Sequence, residues 1–171
     1  MPVTKVGDIN IYYESHGDGE PLLLINGYGQ YSGQWARLIP SLSHEYRTIA
    51  FDNRGTGQSD KPRMTYTMKM MAADAKGVLD ALGIDQAHVF GVSMGGMITQ
   101  TFALDYPGKV ISLILGCTHS GGANMVPPTQ EALAFLFSPE MAKLSVEERA
   151  RATVPWLWNQ EFIDKHPEAV E

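Results

Sequence analysis

The chain alternates short apolar runs with longer stretches in which apolar residues recur at helical spacing. Five short runs are rich in apolar, β-branched and aromatic residues: INIYYES, LLLIN, YRTIAFDN, AHVFGV and VISLILG. Runs that are apolar on both faces are typical of parallel strands covered by helices on both sides. We therefore predict a buried, mostly parallel sheet.

Helical spacing separates these runs. Between the third and fourth runs, apolar residues recur at intervals of three and four, at Met68, Met71, Ala72, Ala75, Val78, Leu79 and Leu82, and Gly83 follows as a stop. A second helix is expected to begin at Met94 and to end before DYPGKV, whose proline and glycine break it. Alternating strands and helices predict the α/β class.

The last part of the sequence has a different character. After THSGGANMVPP no strand-like run follows, and helical patterns cover residues 129–137 and a segment that begins at Ser145. Ser145 and Glu148 have the spacing of a capping box, in which each side chain accepts from the other residue's backbone N–H. We predict a helical tail.

Composition excludes several functions. In 171 residues, 13 lysines and arginines stand against 19 acids, giving a net charge of −6 without a basic block for nucleic acid. The amino terminus lacks the pattern of a secretion signal and no apolar run is long enough for a bilayer, so we expect no membrane partner and a cytoplasmic protein. The only cysteine, Cys117, is expected to be buried and inert.

The segment Gly91-Val92-Ser93-Met94-Gly95 carries the chemistry. It matches G-x-S-x-G, with the required strand before it and helix after it. Gly91 and Gly95 would permit a sharp turn that exposes Ser93 as a nucleophile, with the helix N-terminus stabilising negative charge nearby. The alternative is that Ser93 only caps the helix.

Three ordered motifs carry a resemblance: LLLINGYGQYSGQW, FDNRGTGQSDKP and FGVSMGGMITQ. Together they resemble the α/β-hydrolase superfamily, especially its carboxylesterase and enol-lactonase-like members, over about residues 9–120. The resemblance implies an α/β-hydrolase core in residues 1–123 (strands 1 to 6) and a partial helical cap in residues 124–171. The carboxyl-terminal strands of that fold have no counterpart in the chain.

The resemblance also implies roles for single residues. Backbone N–H groups of Tyr28 and Met94 would form the oxyanion hole, and no cofactor is implied. Asn26 stands where the family often has histidine; taken alone, Asn26-Gly27 also fits a hairpin turn. Asp52 and Arg54 would fix loops near the site, although they also fit solvated loop charges, and the glycines around them are a poor match to a dinucleotide-binding loop.

The partners of a serine nucleophile are harder to find. The base and its orienting acid come after the serine in this family, and the sequence after VISLILG offers only the helical tail. His119 alone would reach the carboxyl edge of the sheet, and no acid follows it closely, so we expect an ordinary loop residue. No histidines have metal-ligand spacing, so we expect no metal.

These observations favour a serine hydrolase that cleaves a small apolar carboxylic ester or lactone through an acyl-enzyme, inactive as this chain because the acid and histidine are missing. Alternatives are a catalytically incompetent binding protein, and a cofactor-free perhydrolase or haloperoxidase, acyltransferase or carbon–carbon hydrolase of the same fold. Trp156 and Trp158 would line the substrate pocket or pack within the cap. The uncovered edge of the sixth strand could pair two copies into a homodimer.

Overall fold

The fold is built on one six-stranded sheet. The computed structural model describes residues 2–123 and 125–170. The strands are β1 (Val3–Val6), β2 (Ile9–His16), β3 (Glu20–Ile25), β4 (Tyr46–Phe51), β5 (Ala87–Val92) and β6 (Val110–Gly116).

The strand order is β1-β2-β4-β3-β5-β6. Strands β4, β3, β5 and β6 run parallel to one another, whereas β1 and β2 are antiparallel additions at one edge. The predicted α/β class and the mostly parallel sheet are confirmed. The hydrophobic pattern did not single out β1, because its four residues alternate in burial and are mostly exposed.

Helices lie in the three connections that join β3 to β4, β4 to β5 and β5 to β6, and further helices begin at Gln130. Their bounds are α1 (Ile39–Leu42), α2 (Met68–Ala81), α3 (Met94–Asp105), α4 (Gln130–Leu136), α5 (Pro139–Lys143), α6 (Val146–Leu157), α7 (Gln160–Lys165) and α8 (Pro167–Val170). The predicted stop of α2 is present, because Gly83 adopts a left-handed φ of +67°. The capping box of Ser145 and Glu148 at the start of α6 is present as well.

Alternate residues of β3 face two separate cores. Leu23 and Ile25 pack on the side that α2 and α3 cover, with α3 contributing Phe102. Leu22 and Leu24 point the other way, to a smaller cluster that includes Trp35. Because β3 is fully buried on both faces, its continuous apolar run follows directly from its central place in the sheet.

Strand β6 is the open edge of the sheet. It pairs with β5 alone, and its residues Ile111, Leu113, Ile114 and Leu115 are between 40% and 48% exposed. Exposed apolar residues on both faces of an unpaired edge favour association. Pairing of two copies through this edge stays a prediction. In the described residues beyond β6, every regular element is a helix.

The chain divides into two compact units, Met1–Ala123 and Asn124–Glu171. Within the second unit, aromatic rings stack in pairs: Trp156 lies 4.7 Å from Phe135 and Trp158 lies 4.7 Å from Phe162, centroid to centroid. Both tryptophans nevertheless keep more than two fifths of their surface exposed. Among the described residues, no helix is long and apolar enough to cross a membrane.

The expectation for Cys117 was wrong. The apolar run that precedes it suggested a buried thiol, but β6 ends at Gly116 and Cys117 is exposed. The backbone turns sharply at this point, with a φ of +48° at Cys117, because the chain leaves the sheet here. The error came from taking an apolar run as a sign of burial, because β6 is the open edge of the sheet and its own apolar residues are exposed as well.

Candidate active site

Ser93 occupies a sharp turn between β5 and α3. Its φ of 56° and ψ of −120° lie outside the regions that L-residues readily adopt, and its side chain is exposed. The Ser93 side chain makes no capping hydrogen bond to α3, which removes the explanation of Ser93 as a plain helix cap. A non-glycine residue held in such a conformation stores strain of about 1–3 kcal/mol and is typical of functional sites.

The flanking glycines allow the backbone to pack closely here. A Cβ added at Gly91 would lie 2.2 Å from the hydroxyl of Thr99 and 2.3 Å from the carbonyl oxygen of Gly95. At Gly95, an added Cβ would lie 2.2 Å from the carbonyl oxygen of Ile25. The start of α3 therefore touches the carboxyl ends of β3 and β5, and side chains at these two positions would separate them.

Backbone hydrogen bonds hold Ser93 from both sides. Its N–H donates to the carbonyl oxygen of Gly116 at 2.9 Å, at the end of β6. Its own carbonyl oxygen accepts from the hydroxyl of Thr118 at 2.8 Å and from the N–H of Gly96 at 2.9 Å. The strained conformation is thus fixed by β6, by the segment after it and by the first turn of α3.

Asn26 is the centre of a buried polar network directly after β3. It is fully buried, and its side-chain NH₂ donates to the carbonyl oxygen of Phe51 at 2.6 Å. Its side-chain oxygen accepts from Trp35 Nε1 at 2.5 Å and from Gln34 Nε2 at 2.8 Å. Because β3 runs parallel to its neighbours, Asn26 and the following glycine do not form a hairpin turn.

The loop that begins at Asn26 also carries Tyr28. The N–H of Gly27 donates to the side-chain oxygen of Gln30 at 3.2 Å, which closes a tight turn around Tyr28. A Cβ added at Gly27 would lie 3.4 Å from the Cβ of Ser93, so this loop passes beside the serine. Whether the N–H groups of Tyr28 and Met94 receive an oxyanion stays a prediction.

Asp52 joins two loops at the end of β4. It is fully buried, and its carboxylate accepts from the N–H of Ser32 at 2.6 Å and from the N–H of Gln58 at 2.7 Å. Gly57 lies so close to Asp52 that a Cβ added at Gly57 would be 1.9 Å from an Asp52 carboxylate oxygen. The φ of Gly57 is +50°. Asp52 therefore fixes loops, as the resemblance implied, and is not a solvated charge.

Arg54 makes a buried ion pair with Asp74 of α2. Its Nε donates to Asp74 Oδ2 at 2.5 Å and its Nη2 donates to Asp74 Oδ1 at 2.7 Å, and both side chains are about 5% exposed. Hydrogen bonding to the carboxylate raises the pKa of Arg54. Burial raises the pKa of Asp74, and the two bonds from Arg54 oppose that rise. The two short charge-assisted bonds support the ionised pair.

Asp74 is a residue that sequence reasoning missed. A signal existed, since Asp74 stands three residues after Met71 and four before Val78, within the apolar face of α2. A carboxylate at such a position needs a buried partner. Its partner Arg54 lies 20 residues away in the sequence, and no local pattern links the two.

His119 lies in the exposed segment after β6. Its Nδ1 accepts from the N–H of Gly121 at 3.0 Å, and its backbone oxygen accepts from Gln100 at 3.1 Å. A catalytic base instead uses one ring nitrogen to donate to an orienting acid. The contacts of His119 support the expectation of an ordinary loop residue.

The arrangement offers an exposed serine hydroxyl beside the N-terminus of a twelve-residue helix. First-turn N–H groups lack intrahelical acceptors and favour negative charge. Over the described ranges, no group of three or more histidine, cysteine, aspartate or glutamate side chains could hold a metal ion. The structure therefore brings an exposed hydroxyl and the N-terminus of a helix together at one point.

The sequence matches known proteins along most of its length. A family model described as the alpha/beta hydrolase fold matches residues 20–169. A 2-hydroxy-6-oxo-6-phenylhexa-2,4-dienoate hydrolase of Burkholderia cepacia is 35% identical over 166 residues, which is 92% of this chain and 57% of that protein. A poly(3-hydroxyalkanoate) depolymerase of Ectopseudomonas oleovorans is 39% identical over 119 residues, which is 70% of this chain and 42% of that protein.

A solved structure shares the fold. The N-acyl homoserine lactone degrading enzyme Est816 matches with a TM-score of 0.80 and 28% sequence identity, covering 99% of this chain and 62% of its own. The chain spans about half the length of the curated relatives it matches.

The strain at Ser93 generates a first prediction. Glycine tolerates a positive φ without strain, whereas alanine at position 93 keeps the strain. We therefore expect the free energy of unfolding of Ser93→Gly to be about 1 kcal/mol higher than that of Ser93→Ala. Urea denaturation of both variants measures the difference. Ser43 has an ordinary φ of −72° and serves as the control. At this position, we expect the glycine variant to be less stable than the alanine variant. Equal stability of the two Ser93 variants would contradict the strain.

The buried ion pair generates a second prediction. Asp74→Ala leaves the Arg54 charge buried without its partner, and we expect a loss of about 3–5 kcal/mol in the free energy of unfolding. Asp80→Ala, on the same helix, removes a half-exposed carboxylate that pairs with Lys76 and Lys109, and should lose less than about 1 kcal/mol. Denaturant titration of both variants provides the comparison. Similar losses would show that the Arg54–Asp74 pair has no special role.

Proposed function

The chain belongs to the alpha/beta hydrolase fold family, and from this premise we propose that it supplies the nucleophile and the oxyanion site of a serine hydrolase that cleaves a carboxylic ester or lactone. The observation that carries the proposal is the strained, exposed Ser93 at the β5–α3 turn. Strain of this kind persists only where surrounding contacts impose it, and several backbone hydrogen bonds do so at Ser93.

In the proposed reaction, Ser93 Oγ forms a bond to the carbonyl carbon of the substrate while the hydroxyl proton passes to a base. The carbonyl electrons move onto the oxygen, and the N–H groups of Tyr28 and Met94 stabilise that charge. The oxyanion then collapses, the bond to the alcohol oxygen breaks, and the alcohol leaves with a proton. Water attacks the acyl-enzyme in the same way and regenerates Ser93. No cofactor takes part.

The base is the missing part of the proposal. His119 directly follows Thr118, which contacts Ser93, yet the Nδ1 atom of His119 accepts from a backbone N–H and is not paired with an acid. We therefore propose that the 171-residue chain reacts slowly or is inactive, and that a histidine and its acid must reach Ser93 from outside the described residues. The rival function, a pocket that binds a ligand without reacting, also predicts an inactive chain.

Ester or lactone substrates are supported by the names of two matched proteins, a polyester depolymerase and a lactone degrading enzyme. Serine as the nucleophile fits acyl transfer, whereas dehalogenation and epoxide opening in this fold use aspartate. Hydrolysis of an oxo-dienoate is the second candidate, because the relative with that name matches over 92% of the chain. Trp156 and Trp158 remain candidates for contact with an apolar substrate.

A fluorophosphonate probe tests the proposed nucleophile. We expect intact-mass spectrometry to detect a single adduct that Ser93→Ala abolishes and His119→Ala leaves unchanged. Because the described residues place no base at Ser93, we expect labelling of the 171-residue chain to be about 10²–10⁴-fold slower than that of a complete serine hydrolase, the usual contribution of a general base. An adduct that persists in Ser93→Ala would refute Ser93 as the nucleophile.

The substrate class needs its own assay on the natural gene product. We expect that protein to hydrolyse p-nitrophenyl butanoate or a lactone, and Ser93→Ala to lower kcat by about 10³-fold or more. Hydrolysis of an oxo-dienoate without ester hydrolysis would favour the second candidate. Full probe reactivity with no turnover of any of these substrates would count against the proposed function.

A further inference from the structure

A cavity of about 390 Å³ lies within the first unit, beside the proposed oxyanion site. Both residues proposed to bind the oxyanion, Tyr28 and Met94, line it. Such a volume is near the lower end of the range for ligand pockets, about 300–1,000 Å³, and fits a small group. A substrate carbonyl held by Tyr28 and Met94 would therefore have this space next to it.

Thioethers and phenol rings dominate the lining of the cavity. Met68 and Met71, from the first turn of α2, face it together with Met94 of α3, and Tyr66 closes one side. Methionine side chains are flexible and polarisable, so they adapt to apolar groups of irregular shape. The three methionines come from two helices that both pack on the sheet.

The single charged residue in the lining is already neutralised. Arg54 lines the cavity, but both of its hydrogen-bonded nitrogens donate to the carboxylate of Asp74, and its guanidinium lies 5.9 Å from the centre of the Tyr66 ring. Among the residues that the structure describes, no carboxylate lines the cavity. A ligand carboxylate placed here would have to lose its water without gaining a free cation, which is strongly unfavourable.

We propose that this cavity is a subsite for an uncharged, flexible apolar group, a short acyl chain, and that Met68 and Met71 limit the length of that chain. The orientation of the chain rests on the proposed function, because it assumes a carbonyl between Tyr28 and Met94. Binding of the neutral group rests only on the lining of the cavity. The two parts can therefore fail separately.

Methyl NMR of the methionines tests the subsite without any turnover. The Ser93→Ala chain, labelled with ¹³C at its methionine methyl groups, is titrated with ethyl butanoate and separately with sodium butanoate. We expect the neutral ester to shift the signals of Met68, Met71 and Met94 and to bind at least about tenfold more tightly than the anion. Met64 is exposed and does not line the cavity, so its signal should stay constant.

A matched pair of charge variants sharpens the test. Met68 is half-buried, so a lysine at this position can place its charge at the cavity. We expect Met68→Lys to weaken the binding of ethyl butanoate and to strengthen the binding of butanoate, each by about fivefold. Met64→Lys adds the same charge outside the cavity and should change neither affinity.

The outcomes separate the two proposals. Absent shifts at Met68 and Met71, or equal binding of ester and anion, overturn the subsite. Specific shifts in a protein whose Ser93 never reacts with the fluorophosphonate probe support the subsite and count against the proposed function.

Discussion

The close contact between the start of α3 and the carboxyl ends of β3 and β5 is the constraint on which the site depends. Gly95 can lie against the carbonyl oxygen of Ile25 only because it has no side chain. That approach brings the start of α3 against the ends of β3 and β5, and the backbone at Ser93, between β5 and α3, takes a positive φ. The hydroxyl is consequently exposed at the helix N-terminus instead of capping it. This close approach and the hydrogen bonds around Ser93 together set the position and the strain of the candidate nucleophile.

A second group of interactions holds the loops around this contact. Asn26, Asp52 and Arg54 are all buried, and each uses its side chain to bind a segment distant in sequence. Fully satisfied buried polar groups fix a loop in one arrangement, since any other arrangement leaves a group without its partner. The loop after β3 and the turn after β4 are therefore each held in one arrangement, as the proposed preorganised site requires.

The sequence predicted those features that depend on residues close together in the chain, and it did not predict contacts between distant segments. The G-x-S-x-G turn and the stop of α2 at Gly83 depend on residues within one turn of the chain, and the predictions for them agree with the structure. The Arg54–Asp74 pair and the bond from Trp35 to Asn26 join separate segments, so no spacing rule finds them. Strand β1 was not singled out because pairing with β2, and not an apolar run of its own, defines it. Cys117 was misplaced because an apolar run does not show whether its strand is covered, and β6 is an open edge.

The contacts that position Ser93, the proposed nucleophile, do not involve a base. The proposed oxyanion site lies where the loop after β3 passes beside the turn between β5 and α3, and backbone contacts together with the side chains of Gln30 and Thr118 hold it. The proposed reaction also needs a base, and His119, in the segment after β6, accepts from a backbone N–H and has no acid bonded to its ring among the described residues. Stabilising the oxyanion contributes about 10²–10³-fold to such reactions and a general base about 10²–10⁴-fold, and each effect acts at a different atom. A chain with the first part alone is therefore expected to bind and polarise a carbonyl group while leaving the Ser93 proton in place.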